Sequence, residues 1–369
     1  MKTLLGRAGR AVLGLAPMVG LALALWATAP VAAARLAIPP TPQTWCVQKS
    51  GTYAQTAPCA NPAQITDLQT AIDGAALGDT IELSQDFYQS GAPGYSIPSN
   101  WTSLTIVGGY PGTTSPPTST GWTQYGPAGL TVIVGDLQQT NQCFSTPIQS
   151  KMTVTIYNLV LQCGGIASSG TIDVPASQLI IASPVGNVGG NFTVAPSASL
   201  DFWPSINGGL VLSNGTTITG GPVKVEEGNG SGLAIGQSST EKVTVDNLEL
   251  DDTAAIQGPG QLTVNKSFTW NGGTLGPTGT FVVAQGATAL LTSESGQEFL
   301  ANATLTLNGP TTDENFAASN LAMNGQATLN NNGAFTFSGD SDVGAGADLS
   351  ESVVNGTGGS IVKTCCARG

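Results

Sequence analysis

The chain has 369 residues, of which 9% are charged and 40% hydrophobic, with no His and a formal net charge of −12. An acidic surface so poor in Lys and Arg excludes nucleic-acid binding, and the hydrophobic fraction excludes intrinsic disorder. The lack of His removes every catalytic design that needs an imidazole.

Lys2, Arg7 and Arg10 precede an uncharged run from Ala11 to Ala34 whose apolar heart is Met18 to Trp26. Pro30 and then Ala32-Ala33-Ala34, an A-x-A cleavage pattern, follow it, so residues 1–34 read as a secretory signal peptide. The uncharged run is also long enough to span a bilayer uncleaved; Pro17 and Pro30 interrupt it and favour cleavage after Ala34. No later segment is apolar enough to cross, so a secreted or cell-surface chain is expected, without membrane insertion once the signal is removed. Removal leaves eight basic residues against 23 acidic, a net charge of −15.

Residues 35–63, rich in Pro, Thr and Gln, read as a linker that becomes a small disulfide-closed cap. Six cysteines fit an oxidising compartment. Cys46 and Cys59 flank a short Gly- and Pro-containing segment and are expected to pin it. Cys143 and Cys163 lie about one repeat apart and are expected to stack on adjacent turns and bridge. Cys365 and Cys366 are adjacent, which disfavours a bond between them; pairing between chains and free thiols are both open. Zinc is not supported, since there is no Cys-x-x-Cys.

From Gln64 the period is helical. Ile65, Leu68, Ala71, Ile72 and Ala75 share one face, which predicts a short capping helix over 64–77. Thr66 or Asn61 is expected to cap its start, and Gly74 or Gly78 to end it. After Gly78-Asp79 the period becomes two, and Leu104 to Tyr110 reads as a further strand. A polar loop spans 111–129. From Leu130 onward, short runs rich in Val, Ile, Leu and Thr recur about every 20 residues, bounded by Gly, Asn, Asp, Ser or Pro. Such repetition marks a solenoid, whose turns bury their inner faces only by stacking on neighbours. The expected organisation is a β-helix over 64–362 and a short tail over 363–369.

Two segments match closely: Val154-Thr155-Ile156-Tyr157-Asn158-Leu159-Val160-Leu161 and Val243-Thr244-Val245-Asp246-Asn247-Leu248-Glu249-Leu250. Each is a pair of β-stretches hinged at one Asn, a residue that tolerates left-handed backbone. With these segments, with Asp67-Leu68-Gln69-x-Ala71-Ile72-Asp73 through Gly78-Asp79-Thr80-Ile81-Glu82-Leu83, and with Leu104 to Tyr110, the chain resembles bacterial exported members of the pectin-lyase-like superfamily. The resemblance covers roughly residues 45–165 and is compositional beyond, where the chain is similar to the Gly/Asn/Thr-rich repeats of surface adhesins. It implies an all-β fold: a right-handed, single-stranded parallel β-helix. It also implies three catalytic designs to test, in which acidic residues act with Arg, with His, Arg and Lys, or around Ca²⁺. With no His, and with Arg35 and Arg368 as the mature chain's two Arg, both outside the solenoid, none can be assembled and no catalytic residue carries over.

A glycosidase built from two carboxylates needs none of those groups, and its candidates are Asp173, Asp201, Glu226, Glu227, Asp246, Glu249, Asp251 and Asp252. Asp173 and Asp201 are the pair expected to approach laterally; the competing reading is solvated turn acids. For Ca²⁺ the candidates are Asp340-Ser341-Asp342 and the Asp246 to Asp252 cluster, neither of which follows a known loop pattern. Trp101, Tyr110, Trp122 and Tyr125 cluster around the long loop, with Trp203 and Trp270 farther along, as a sugar-stacking platform or as packing. Asn-x-Ser/Thr tripeptides at Asn100, Asn191, Asn214, Asn229, Asn265, Asn302 and Asn355 read as glycosylation acceptors or as stacked Asn ladders. No cofactor or metal site is assigned. The expected function is a secreted or cell-surface structural or adhesive solenoid without catalytic activity. Its expected partners are extracellular polysaccharide or cell-surface components, and the alternative is a polysaccharide-binding or polysaccharide-degrading protein. Two carboxylates in a groove would favour the alternative; a flat face of stacked Thr, Ser and Asn would favour the structural reading.

Overall fold

A computed structural model of the chain describes residues 41–48, 65–90, 94–110, 131–135, 143–144, 148, 151–163, 165–166, 168–183, 186–204, 209–226, 232–251, 253–292, 297–314, 321–338, 343–345 and 350–364. The chain divides into two compact units, Met1–Thr41 and Pro42–Gly369. The second is a parallel β-solenoid of about nine turns. The signal segment, the loop 111–129 and the last five residues lie outside the described residues.

Each full turn places short strands on three faces. The first face includes Thr153–Tyr157, Thr171–Val174, Asn191–Val194, Thr280–Val283 and Thr304–Leu307. The second includes Leu159–Gln162, Gln178–Ser183, Ser199–Pro204 and Thr288–Leu291. Both belong to one 22-stranded sheet, because long strands such as Lys242–Asp251 and Gln261–Asn271 pass from one face to the other. The third face is a separate, nine-stranded sheet that runs from Gly165–Ile166 to Val343–Ala345.

The alternation of the sequence sets the inside and outside of every turn. On the first face Leu104, Val154, Ile172, Phe192, Ile218, Val245, Val264, Val283 and Leu307 pair in register, one per turn, and all are buried. The second face has its own inward row, in which Phe202, Val225, Leu250, Trp270 and Leu291 stack successively. β-Branched and aromatic side chains fit this pleated, close-stacked interior, which explains why such short strands hold.

The two Asn-hinged segments do turn between faces, by different means. Asn158 has φ +56°, and its Nδ2 donates to the Gly108 carbonyl, 3.0 Å away in the neighbouring turn. The corner below must be glycine: a Cβ on Gly109, itself at φ +78°, would fall 1.9 Å from Asn158 Nδ2. Asn247 stays within a strand at a register shift, donating to the Gly220 carbonyl and accepting from Ser267 Oγ at 2.7 Å.

At the N-terminal side, the stretch expected as linker and cap contributes a strand, Thr44–Val47, which pairs in parallel with Thr80–Ser84. The helix spans Leu68–Gly74, shorter than expected. Its cap is Asp67, whose side chain accepts from Thr70 N, in place of the expected Thr66 or Asn61, the latter lying outside the described residues. Leu68, Ala71 and Ile72 are buried in the core. Gly74 ends the helix against Trp45, whose ring would lie 2.7 Å from any Cβ there. Asp79 ties the assembly together, accepting from Gln43 N, Ala76 N and Trp45 Nε1 at 2.8, 2.8 and 2.9 Å. Burial pushes its carboxyl up, but these bonds more than offset that, and it sits below its ordinary range.

Cys143 and Cys163 form a disulfide with Cα atoms 5.3 Å apart. Cys46 is disulfide-bonded too; Cys59 lies outside the described residues.

Candidate functional site

Outward side chains of the first two faces form two surfaces of different chemistry. On the first face one row reads Thr153, Thr171, Asn191, Thr217, Thr244, Thr263, Val282, Thr306 and Asn330 from turn to turn. A second row beside it reads Gln261, Thr280, Thr304, Thr328 and Ser352. Strand spacing sets neighbouring turns about 4.8 Å apart, and alternate residues along a strand about 6.6 Å apart. Hydroxyl and amide groups bond along the rows, as in Thr217 Oγ1 to Asn191 Oδ1 at 2.5 Å and Ser352 Oγ to Thr328 Oγ1 at 3.2 Å. From Gln261 to Asn330 these two rows carry no charge.

The corresponding outward row of the second face is Val132, Val160, Ile180, Asp201, Lys224, Glu249 and Thr269. Its first members form a separate buried apolar cluster with Val134 and Ala182, against which Phe87 and Trp203 pack. Asp201 stands where the row changes from apolar to charged, at 1% exposure. One of its carboxylate oxygens accepts from Gln178 Nε2. Lys224 Nζ lies 3.4 Å from Glu249 and 3.8 Å from Glu226. Asp251 completes the group, accepting from Asn271 Nδ2 at 2.9 Å.

Desolvation dominates here. Burial raises the Asp201 carboxyl, against the pull of Gln178, Ser199 and Lys224. Burial also raises Glu226, assisted by the Asp201 charge. The same holds for Glu249, with Lys224 opposing and Asp251 assisting. Burial pushes the Lys224 ammonium down, but Glu249, Glu226 and Asp201 more than offset it, and it lies above its ordinary value.

Of the carboxylate candidates, the structure thus gathers Asp201, Glu226, Glu249 and Asp251. Asp173 is not among them: it stands on the first face between Thr155 and Thr193, whereas Asp201 is on the second face, so the lateral approach expected for that pair does not occur. Asp246 sits apart at a corner, accepting from Gly220 N at 3.0 Å and pairing with Lys266 at 2.7 Å. Burial pushes its carboxyl up, and these partners bring it below the ordinary range. Glu227, Asp252, Asp340 and Asp342 lie outside the described residues, and among those described no group of acids is arranged to hold a metal.

The aromatic candidates divide. Trp101 packs against the main core, and Trp270 is fully buried within it, so Trp270 is no sugar platform. Tyr110 ends the strand Ser103–Tyr110 beside Ser84; Trp122 and Tyr125 lie outside the described residues. Trp203 is the aromatic residue that borders the charged group. Several sequon Asn residues serve the backbone: Asn214 accepts from Lys242 N, Asn302 from Gln326 N, and Asn355 donates to the Gly359 carbonyl. Lys224, the centre of the charged group, is missing from the sequence candidates. Its signal was the alternation Lys224-x-Glu226, which puts both side chains on one side of a strand. Two buried acids, Glu298 and Asp313, were likewise not singled out.

No protein-family model matches the chain, and neither a curated protein nor a solved structure is similar enough to be matched.

Proposed function

We propose that this chain is a secreted or cell-surface adhesive rod without catalytic activity, whose first face is its contact surface. The observation that carries this reading is the pair of uncharged rows between Gln261 and Asn330, made of Thr, Asn and Gln apart from Val282. Neutral hydroxyls cost far less to desolvate than ions, and a stacked sheet holds them at fixed spacing, so many weak contacts add without an ordering penalty. Extracellular polysaccharides and cell-surface glycans are the partners such a surface suits.

In this reading residues 1–34 are a signal peptide removed after Ala34, and the coil is right-handed, as the resemblance to pectin-lyase-like proteins implies. The helix Leu68–Gly74 closes the first turn and shields strand edges that would otherwise pair with other chains. A glycan-array screen of residues 35–369 tests the reading: binding that Thr304→Lys with Thr306→Lys abolishes is expected, and binding indifferent to that change would overturn it.

One observation favours a second reading, polysaccharide cleavage on the second face. Glu226 and Glu249 share one lysine and both carboxyls are raised, as a general acid requires. Release of reducing ends that Glu249→Gln eliminates would establish that reading over the first.

A further inference from the structure

We infer that the first face takes one uncharged, extended, equatorially linked glycan, laid lengthwise along the coil with one sugar on each turn. This rests on the adhesive reading and names the class of glycan it would bind. The segments Gln261–Val264, Thr280–Val283, Thr304–Leu307 and Thr328–Asn331 pair in parallel without a register shift. Their outward side chains make an array four turns long and two residues wide, about 14 Å by about 6.6 Å from strand geometry. Lys242 pairs with Gln261 and ends the uncharged array on one side; Val354 follows Asn330 on the other.

The shape of the array selects the shape of the ligand. A glycan of equatorially 1,4-linked pyranoses is extended, and its rise per sugar is close to the strand spacing of about 4.8 Å. Laid lengthwise, each ring sits between the two outward side chains of one turn, and the contacts repeat from sugar to sugar. Laid across, the same glycan would meet one pair of residues and then the corners. An axially linked glycan coils and departs from the rows.

The chemistry of the array selects a neutral ligand. No Lys or Arg occurs from Ser267 to Val362, and the whole chain carries a formal charge of −12. An acidic glycan would therefore meet repulsion with no cation to offset it. The hydroxyls of Thr280 and Thr304 bond to none of the described residues, so both are available to sugar hydroxyls. Toward the ends of the array the side chains steady one another, Gln261 Nε2 donating to Thr263 Oγ1 at 3.2 Å and Asn330 Nδ2 to Thr306 Oγ1 at 3.4 Å. Such pairing lowers the cost of ordering them against a ligand. Val282 stands in the row between Thr263 and Thr306, and its methyl groups offer apolar surface to ring C–H groups.

The test is calorimetric titration of the full mature chain with β-1,4-linked glucose oligomers of two to six sugars. The α-1,4-linked series, which has the same hydroxyls on a coiled backbone, is titrated beside it. Affinity for the β-linked series should rise about threefold or more per sugar up to four, the net worth of one neutral hydrogen bond, and little beyond. The α-linked series, and β-linked oligomers oxidised to carboxylates at their primary alcohols, should bind about tenfold more weakly, a loss of roughly two such bonds. Thr328→Lys with Asn330→Lys blocks the last turn and should move the levelling point from four sugars to three, with the melting temperature unchanged. Should that variant fail to fold, the wild-type length series decides alone. Equal affinity for two and four sugars, a gain undiminished to six, equal binding of the α-linked series, tighter binding of the oxidised oligomers, or no binding of any oligomer would each overturn the inference. The adhesive reading is then judged separately, by whether Thr304→Lys with Thr306→Lys abolishes binding on the glycan array.

Discussion

The first and second faces enclose the same core, and the long strands Thr217–Val225, Lys242–Asp251 and Gln261–Asn271 run through both, yet their outward rows differ. The first repeats Thr, Asn and Ser and pairs them along the stack. The second passes from a buried apolar cluster to Asp201, Lys224 and Glu249 within a few turns. The solenoid therefore constrains only what points inward, and an outward row is free to be a neutral lattice or an ion cluster. The cost differs as well: hydroxyls satisfy one another, while Asp201 is held desolvated and raised.

Changes to the shared core bound the comparison from above. Trp270 is stacked between Leu250 and Leu291, with Phe268 5.9 Å away, and Trp270→Ala should cost about 3–5 kcal/mol in denaturant unfolding. Its outward neighbour Thr269→Ala should stay within about 0.5 kcal/mol. Equal costs would mean that the inward and outward rows are not distinct.

Next in size is Asp79, the anchor of Thr44–Val47. Asp79→Ala leaves three donors without their acceptor and should cost about 2–3 kcal/mol, read as faster exchange of the Thr44–Val47 amides. Because its folded pKa is depressed, its contribution is present above the unfolded carboxylate pKa and is lost as pH falls through the folded one. The second-face group has the opposite sign. Raised carboxyls stabilise below their unfolded pKa, and that contribution is lost as pH rises through the folded values. Asp201→Asn should therefore gain about 1 kcal/mol at neutral pH and nothing in acid, where the native carboxyl is protonated. Melts at both pH values check this, and a gain in acid would contradict the desolvation account.

The inward rows were legible because alternation of Val, Ile, Leu and Phe with Thr is a local pattern, as in Thr153–Tyr157. The strands Gly273–Leu275 and Glu298–Ala301 were not, since three or four residues among glycines carry little period. Thr44–Val47 was hidden for another reason. Its partner, Thr80–Ser84, lies more than 30 residues away, and its place is held by Asp79 and Gly74 through Trp45. The charged group was half legible. Glu226, Glu249 and Asp251 are visible as acids, but only the register that puts Lys224 between Asp201 and Glu249 makes them one group. That same register separates Asp173 from Asp201.

The smallest effects on stability belong to the first face, where Thr304→Val and Thr328→Val should each change unfolding by less than about 0.5 kcal/mol. Their consequence is expected in binding, because each removes a hydroxyl from the lattice without disturbing the core.

Contact through the uncharged rows of the first face between Gln261 and Asn330, without cleavage, is what we propose. Co-sedimentation with an insoluble extracellular polysaccharide that retains the native chain, scored together with release of reducing ends, tests it most directly. Thr304→Lys with Thr306→Lys is expected to lose retention and Glu249→Gln to keep it, with no sugar released by either variant or by wild type. Retention lost with Glu249→Gln and kept by the threonine variant, or sugar released by wild type alone, would contradict it.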